Sequence, residues 1–271
     1  MIPRAAALGL SVLMTAGPLA AACPPTPQTA VEIYPTAAEV PENLLRFYVY
    51  FPRPMAPGGG LQDVRLLDAR GVPVNGVFLP TTQELWSPDR TRLTLLLDPG
   101  RVKSGLAAHE AMGRALVPGV SYTLVVSGAA EDAAGCALGA DIMHTFSVTD
   151  PDFEIPKPGA WSFSAPRIGS LDPVQVDLGS PHDHLSMAYR LRIMDADGTI
   201  LPGRIALGPD EKSWLFTPRR PWEDATYELV VDERLEDLAG NRPGGLFDRP
   251  TSAAPVVWQA RWPFAPEPVQ D

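Results

Sequence analysis

Residues 222–241 read WEDATYELVVDERLEDLAGN. A Pro221-Trp222 lead-in gives way to a strand-forming run over residues 226–231, and an acidic turn closes on Gly240-Asn241. This is the grammar of the last hairpin of a β-sandwich: β-branched and aromatic residues, then turn formers. Residues 118–136, PGVSYTLVVSGAAEDAAGC, repeat it. The interval from Tyr122 to Asp132 equals that from Tyr227 to Asp237. A repeat of one β unit therefore organises the chain.

Working outward, other segments pair in the same way. Residues 64–68 (VRLLD) with a turn at 69–71 match residues 191–195 (LRIMD) with a turn at 196–198. Gly71 to Gly76 and Gly198 to Gly203 share one spacing, and glycine supplies the positive φ of tight hairpins. Residues 93–97 before Asp98-Pro99 match residues 214–217 before Pro218. Residues 45–51 (LRFYVYF) form the clearest strand, with Leu45, Phe47, Val49 and Phe51 on one face and Arg46, Tyr48 and Tyr50 on the other. The copies differ between Pro99 and Tyr122, where the first carries the helix-prone residues 100–116.

Composition bounds the class. With 271 residues, 45% hydrophobic and 20% charged, the chain has room for two ordinary domains with buried cores. Its 31 prolines and 23 glycines are dispersed, as short strands with many turns require. A net charge of −10 argues against nucleic-acid binding, which needs basic side chains to displace phosphate counterions.

Residues 1–22 read as a secretory signal peptide: Arg4, a small or apolar run too short to span a bilayer, and Ala20-Ala21-Ala22 before Cys23. Cys23 directly after that site resembles a lipobox, although Ala20 stands where leucine is usual. Lipidation of Cys23 is the preferred reading, making the protein a membrane-anchored lipoprotein. The alternative is a Cys23–Cys136 disulfide in a soluble exported protein. The expected layout is a tether at 23–29, a β-sandwich at 30–149 with a short helical insertion, a linker at 150–160, a second sandwich at 161–247, and a Pro-rich tail at 248–271. Within that tail, residues 256–262 fit an edge strand or a docked segment.

The strand ending in Pro54-Met55, the V-x-L-x-D-x-x-G hairpin, Tyr122-Thr123-Leu124, and the turns Asp132-Ala133-Ala134-Gly135 and Asp237-Leu238-Ala239-Gly240-Asn241 resemble bacterial Ig-like domains of the SbsA type. The resemblance implies an all-β fold of two tandem Ig-like sandwiches. It implies no single function, since such modules serve as spacers, stalks and enzyme accessories. Cys136 departs from it by standing where asparagine is usual, and residues 177–187 depart by lacking the Pro-Met.

Few constellations suggest chemistry. His109-Glu110 begins a zinc-protease motif but lacks the second histidine. His182 and His184 would share one face of a strand and hold two corners of a copper or zinc site, with no third ligand apparent. A polar loop is the plainer reading of that segment. Glu131-Asp132 and Glu236-Asp237 suit turn stabilisation better than Ca²⁺ binding. Arg101 and Lys103 are candidates for an anionic ligand. Tyr48 and Tyr50 are candidates for stacking on a glycan or partner, because their neighbours already supply the buried face. Trp214 and Trp222 are assigned to the second core. No nucleophile elbow, phosphate loop or Cys-x-x-Cys is present. The expectation is a non-enzymatic, cofactor-free cell-envelope module with an envelope protein or glycan as partner, touching the membrane only through a lipid anchor.

Overall fold

Period-two alternation builds both halves of the chain. The computed structural model describes residues 30–81, 83–103, 113–248 and 260–268, with Cys23, Pro25 and Pro27. The first half contains β1 (Glu32–Tyr34), β2 (Glu39–Pro41), β3 (Arg46–Tyr50), β4 (Val64–Asp68), β5 (Leu85–Trp86), β6 (Arg92–Leu96), β7 (Ser121–Val126) and β8 (Ile142–Thr149). They form two sheets in the orders β1-β3-β6-β5 and β2-β8-β7-β4, with β2 parallel to β8. This is the strand order of an Ig-like sandwich.

The second half repeats it. β9 (Ser162–Ser164), β10 (Val174–Asp177), β12 (Gly203–Leu207) and β13 (Ser213–Pro218) form one sheet in the order β12-β13-β10-β9. β11 (Leu191–Met194), β14 (Tyr227–Val231) and β15 (Arg261–Phe264) form the other. A parallel bridge between Arg167 and Glu267 stands where β2 meets β8 in the first half. The fold is all-β, two tandem Ig-like sandwiches. A tyrosine stands near the start of the equivalent strand of each, Tyr122 in β7 and Tyr227 in β14, and the Tyr227 hydroxyl accepts the Glu223 N–H at 3.2 Å. The second of these is the tyrosine corner of the Ig fold.

Each sandwich has its own core. Leu44, Phe47, Leu66, Leu124 and Phe146 fill the first; Met187, Leu191, Trp214, Trp222 and Leu229 fill the second. The Trp222 indole donates to the Asp172 carbonyl at 2.8 Å, so its polar edge enters the core paired.

Aspartates fix the hairpins as the spacing of the repeat predicts. Asp68 accepts the N–H groups of Arg70 and Val72, and Asp195 those of Asp197 and Thr199. Asp132 and Asp237 each do the same two and four residues ahead.

Three expectations change. The second sandwich does not end at 247, because β15 lies inside the presumed tail and pairs with β14, Tyr227 opposite Phe264. Pro263 is tolerated because β15 is an edge strand. Within residues 100–116 the described helix is one turn, α1 (Pro99–Val102), capped by Asp98; residues 104–112 lie outside the described set. Residues 184–190 are not loop but a helix, α2 (His184–Arg190), capped by Asp183, whose side chain accepts the Ser186 N–H at 2.8 Å. The signal-peptide reading of 1–22 and His109-Glu110 fall outside the described residues.

Candidate functional site

The alternation of β3 sends Arg46, Tyr48 and Tyr50 out of the first sandwich, as expected. Solvent receives Arg46 and Tyr50 only in part and Tyr48 hardly at all. The second sandwich lays the N-terminus of α2 and the β14–β15 loop across this face. Tyr48 is 2% exposed, and its hydroxyl donates to the Asp183 carboxylate at 2.9 and 3.1 Å. Arg46 lies 3.5 Å from Asp183 and ion-pairs Glu236, which Arg242 also holds at 2.5 Å. The Glu236 N–H donates to the Ser186 hydroxyl at 2.8 Å. Burial raises both the Tyr48 hydroxyl and the Asp183 carboxyl above their ordinary ranges; Asp183 adds to the first shift, and Arg46 opposes the second. Buried charges without partners would be costly, and here each has one.

A second set of contacts lies beside the first. Glu211, 1% exposed, accepts the Thr36 N–H and hydroxyl, both at 2.9 Å. Burial pushes its carboxyl up to about 7. Asp210 and Glu211 both hold left-handed backbone, with φ of 57° and 54°. Each costs on the order of 1 kcal/mol in a residue with a Cβ, so the surrounding contacts must over-determine the turn. The His184 ring lies 3.6 Å from that of Tyr34, centroid to centroid, with Tyr50 edge-on at 5.4 Å.

Backbone and linker complete the seam. The Leu45 N–H donates to the Leu238 carbonyl at 3.0 Å, and the Leu238 side chain belongs to the first core. Gly240, at φ 77°, lies so close to Leu45 that a Cβ would meet its Cδ1 at 2.2 Å. The linker carbonyl of Asp152 accepts from Asn43 of the first domain and Asn241 of the second.

The sequence-predicted sites fall into this frame differently. Tyr48 is sealed in the seam and is no stacking platform. Tyr50 is half-buried against Tyr34 and His184. His182 and His184 do not converge. His182 is fully buried with Nδ1 2.9 Å from the Ser180 carbonyl and its ring edge-on to Trp161. Burial pushes both imidazoles down to about 4, keeping them neutral. No group of three metal-ligating side chains occurs among the described residues. Arg101 is 7% exposed and donates to the carbonyls of Asn75, Gly76, Gly113 and Arg114, so it ties loops together instead of awaiting an anion. Lys103 sits 4.2 Å over the Phe247 ring, a cation–π contact between the two halves.

Cys23 and Cys136 are joined by a disulfide. That bond and a lipid thioether exclude each other at one sulfur, so of the two fates weighed for Cys23 the structure carries the disulfide. No described helix is long and apolar enough to cross a membrane.

Sequence reasoning missed Thr36, Arg46, Asp183, Glu211 and Glu236. A signal existed for Asp183, an N-cap residue ahead of LSMAYR, and for Glu236, whose acidic doublet was assigned wholly to its own turn.

An open cleft of about 1090 Å³ follows the linker, lined by Glu39, Asp150, Trp161 and Asp237 among others. A groove of about 500 Å³ lies elsewhere along the seam, between Tyr34 and Thr36 on one side and β12 on the other, with His184 and Ala188 in its lining.

No protein-family model matches the chain, and neither does any curated protein. Among solved structures, it is similar to the MG0-NIE-MG1 span of Escherichia coli alpha-2-macroglobulin at 13% identity, covering 70% of this chain and 62% of that one with a TM-score of 0.26. It covers 12% of the whole E. coli alpha-2-macroglobulin. The Ig1-2 module of the Drosophila receptor protein tyrosine phosphatase DLAR gives 16% identity, 76% and 92% coverage and a TM-score of 0.24. The Ig-like assignment rests on strand order, not on these likenesses.

Proposed function

We propose that this protein is an exported, non-catalytic binding or scaffold module whose two sandwiches act as one rigid body. The observation that carries the reading is the buried seam: Tyr48, Asp183, Arg46 and Glu236 are paired across it, and Leu238 is planted in the opposite core. Domains joined only by a linker move freely, whereas a buried, hydrogen-bonded interface fixes their orientation. The titratable groups of the seam are engaged in holding it, which supports a structural use. The Cys23–Cys136 bond supports an oxidising compartment outside the cytoplasm.

Small-angle scattering of the mature protein is the test. One orientation, that of this structure, should account for the whole profile. A profile that demands a spread of domain orientations would overturn the rigid-module reading. Export is checked by the mass of the mature N-terminal peptide. A Cys23 peptide linked to the Cys136 peptide is expected, and a diacylglyceryl mass on Cys23 would return the lipoprotein reading.

A further inference from the structure

β12 is a sheet edge: α2 packs beside it, but no described residue bonds its outward backbone groups. Its ladder to β13 can be phased from its two ends. The Arg219 N–H donates to the Pro202 carbonyl, and the Gly208 N–H to the Ser213 carbonyl. Antiparallel pairs alternate between bonded and non-bonded, so with the observed register Arg204 and Ala206 face β13. Gly203, Ile205 and Leu207 then turn their N–H and C=O groups away from the sheet, and none of these has a hydrogen-bond partner among the described residues. The other edges are managed. β5 has two residues and runs into Pro88, β1 has three and runs into Pro35, β2 contains Pro41 and β15 contains Pro263. β9 has three residues and is followed by Pro166. β4 and β11 are covered by their returning hairpins, through Val74 to Leu66 and Leu201 to Ile193. Among the described strands, only β12 combines an edge position, five residues, no proline, no returning hairpin and exposure of its first four positions. Proteins rarely leave such an edge unguarded unless something pairs with it.

We propose that β12 takes an extended peptide segment of a partner as an added antiparallel strand. This rests on the binding-module reading and names the class of partner. Side chains opposite one another on antiparallel strands share a face, so Ile205 lies on the core side with its partner Phe216, yet it is 36% exposed at the edge. A residue of the added strand opposite Ile205 would place its side chain in the groove lined by Tyr34, His184 and Ala188. That position and its alternates call for apolar residues. The residue opposite Arg204 would lie on the outer face. Arg204 is the strand's one charge and has no ion pair among the described residues, so an acidic side chain is its complement. Backbone bonds would supply affinity and alternate side chains selectivity.

The test uses the full mature protein and a synthetic peptide alternating valine with threonine and carrying one glutamate, followed by amide NMR. Shifts confined to β12 and the groove are expected. Ile205→Pro removes an outward N–H without touching the ladder, and should weaken binding about tenfold or more while leaving the melting temperature nearly unchanged. Arg204→Glu should weaken the glutamate peptide and favour its lysine counterpart. Absence of shifts at saturating peptide, or shifts elsewhere, would overturn the proposal and leave the rigid-module reading standing if scattering still fits one orientation. A concentration-dependent dimer abolished by Ile205→Pro would overturn it in favour of a second copy of this chain.

Discussion

Residues 132–136 (DAAGC) and 237–241 (DLAGN) form one turn used twice. In each, the aspartate accepts two backbone N–H groups, its own N–H donates to the carbonyl four residues on, and a glycine holds φ near 78° or 77°. The differences lie in the side chains that the turn presents. Its fifth residue captures the chain entering its own domain, covalently through Cys136 to Cys23, and by hydrogen bond from Asn241 to the Asp152 carbonyl. Its second residue is the exposed Ala133 in one copy and the 7%-exposed Leu238 in the other. A backbone-directed device is thus kept constant, while two side chains decide whether the loop closes its own domain or grips its neighbour.

Making the first turn like the second should have the largest effect. Cys136→Asn removes a cross-link spanning 113 residues. Loss of a native disulfide costs about 2–5 kcal/mol, chiefly by restoring freedom to the unfolded chain. Urea unfolding of this variant should match that of reduced wild-type protein. Equal stability of oxidised wild type and variant would mean that the disulfide does not brace the first domain.

Making the second turn like the first comes next. Leu238→Ala leaves a void in the opposite core and should cost about 2–4 kcal/mol. Because the side chain belongs to one domain and its pocket to the other, the loss falls on their coupling. Wild type is expected to unfold in one transition, and the variant in two resolved ones by calorimetry. A single transition merely shifted downward would show that the remaining seam contacts suffice.

The repeat made this turn legible in the sequence, along with both sandwiches and the two faces of β3. Local patterns report which face of a strand is apolar and which residues turn the chain. They do not report what lies against the other face. Tyr48 and Tyr50 point outward as their alternation requires, yet whether water or a second domain meets them depends on contacts from Asp183 and His184, far away in the chain. β15 was legible only in part, as the edge strand that residues 256–262 fit, for a related reason: its partner β14 ends at Val231, thirty residues earlier, and Pro263 interrupts its pattern. α2, at seven residues, is too short to display a helical period, so only its cap could have announced it.

The smallest and most discriminating difference is electrostatic. The Cys136 N–H, with Arg53 at 2.6 Å, holds the Asp132 carboxyl below the usual range. Asp237 has the same pair of N–H donors, but burial outweighs them, and with Asp152 adding its charge the carboxyl is pushed up to about 7. The two aspartates therefore contribute to stability with opposite sign. A carboxyl lowered on folding stabilises above its unfolded value, near 3.8, and that contribution disappears as pH falls through the lower folded value. A carboxyl raised on folding contributes fully below 3.8, and the contribution is lost as pH rises toward 7. Denaturation of Asp132→Asn and Asp237→Asn against pH should separate them. The first should lose part of wild type's acid sensitivity below pH 4, and the second should flatten the decline between about 4 and 7. Two variants with parallel pH profiles would show that the shared backbone turn, not the surroundings, sets both carboxyls.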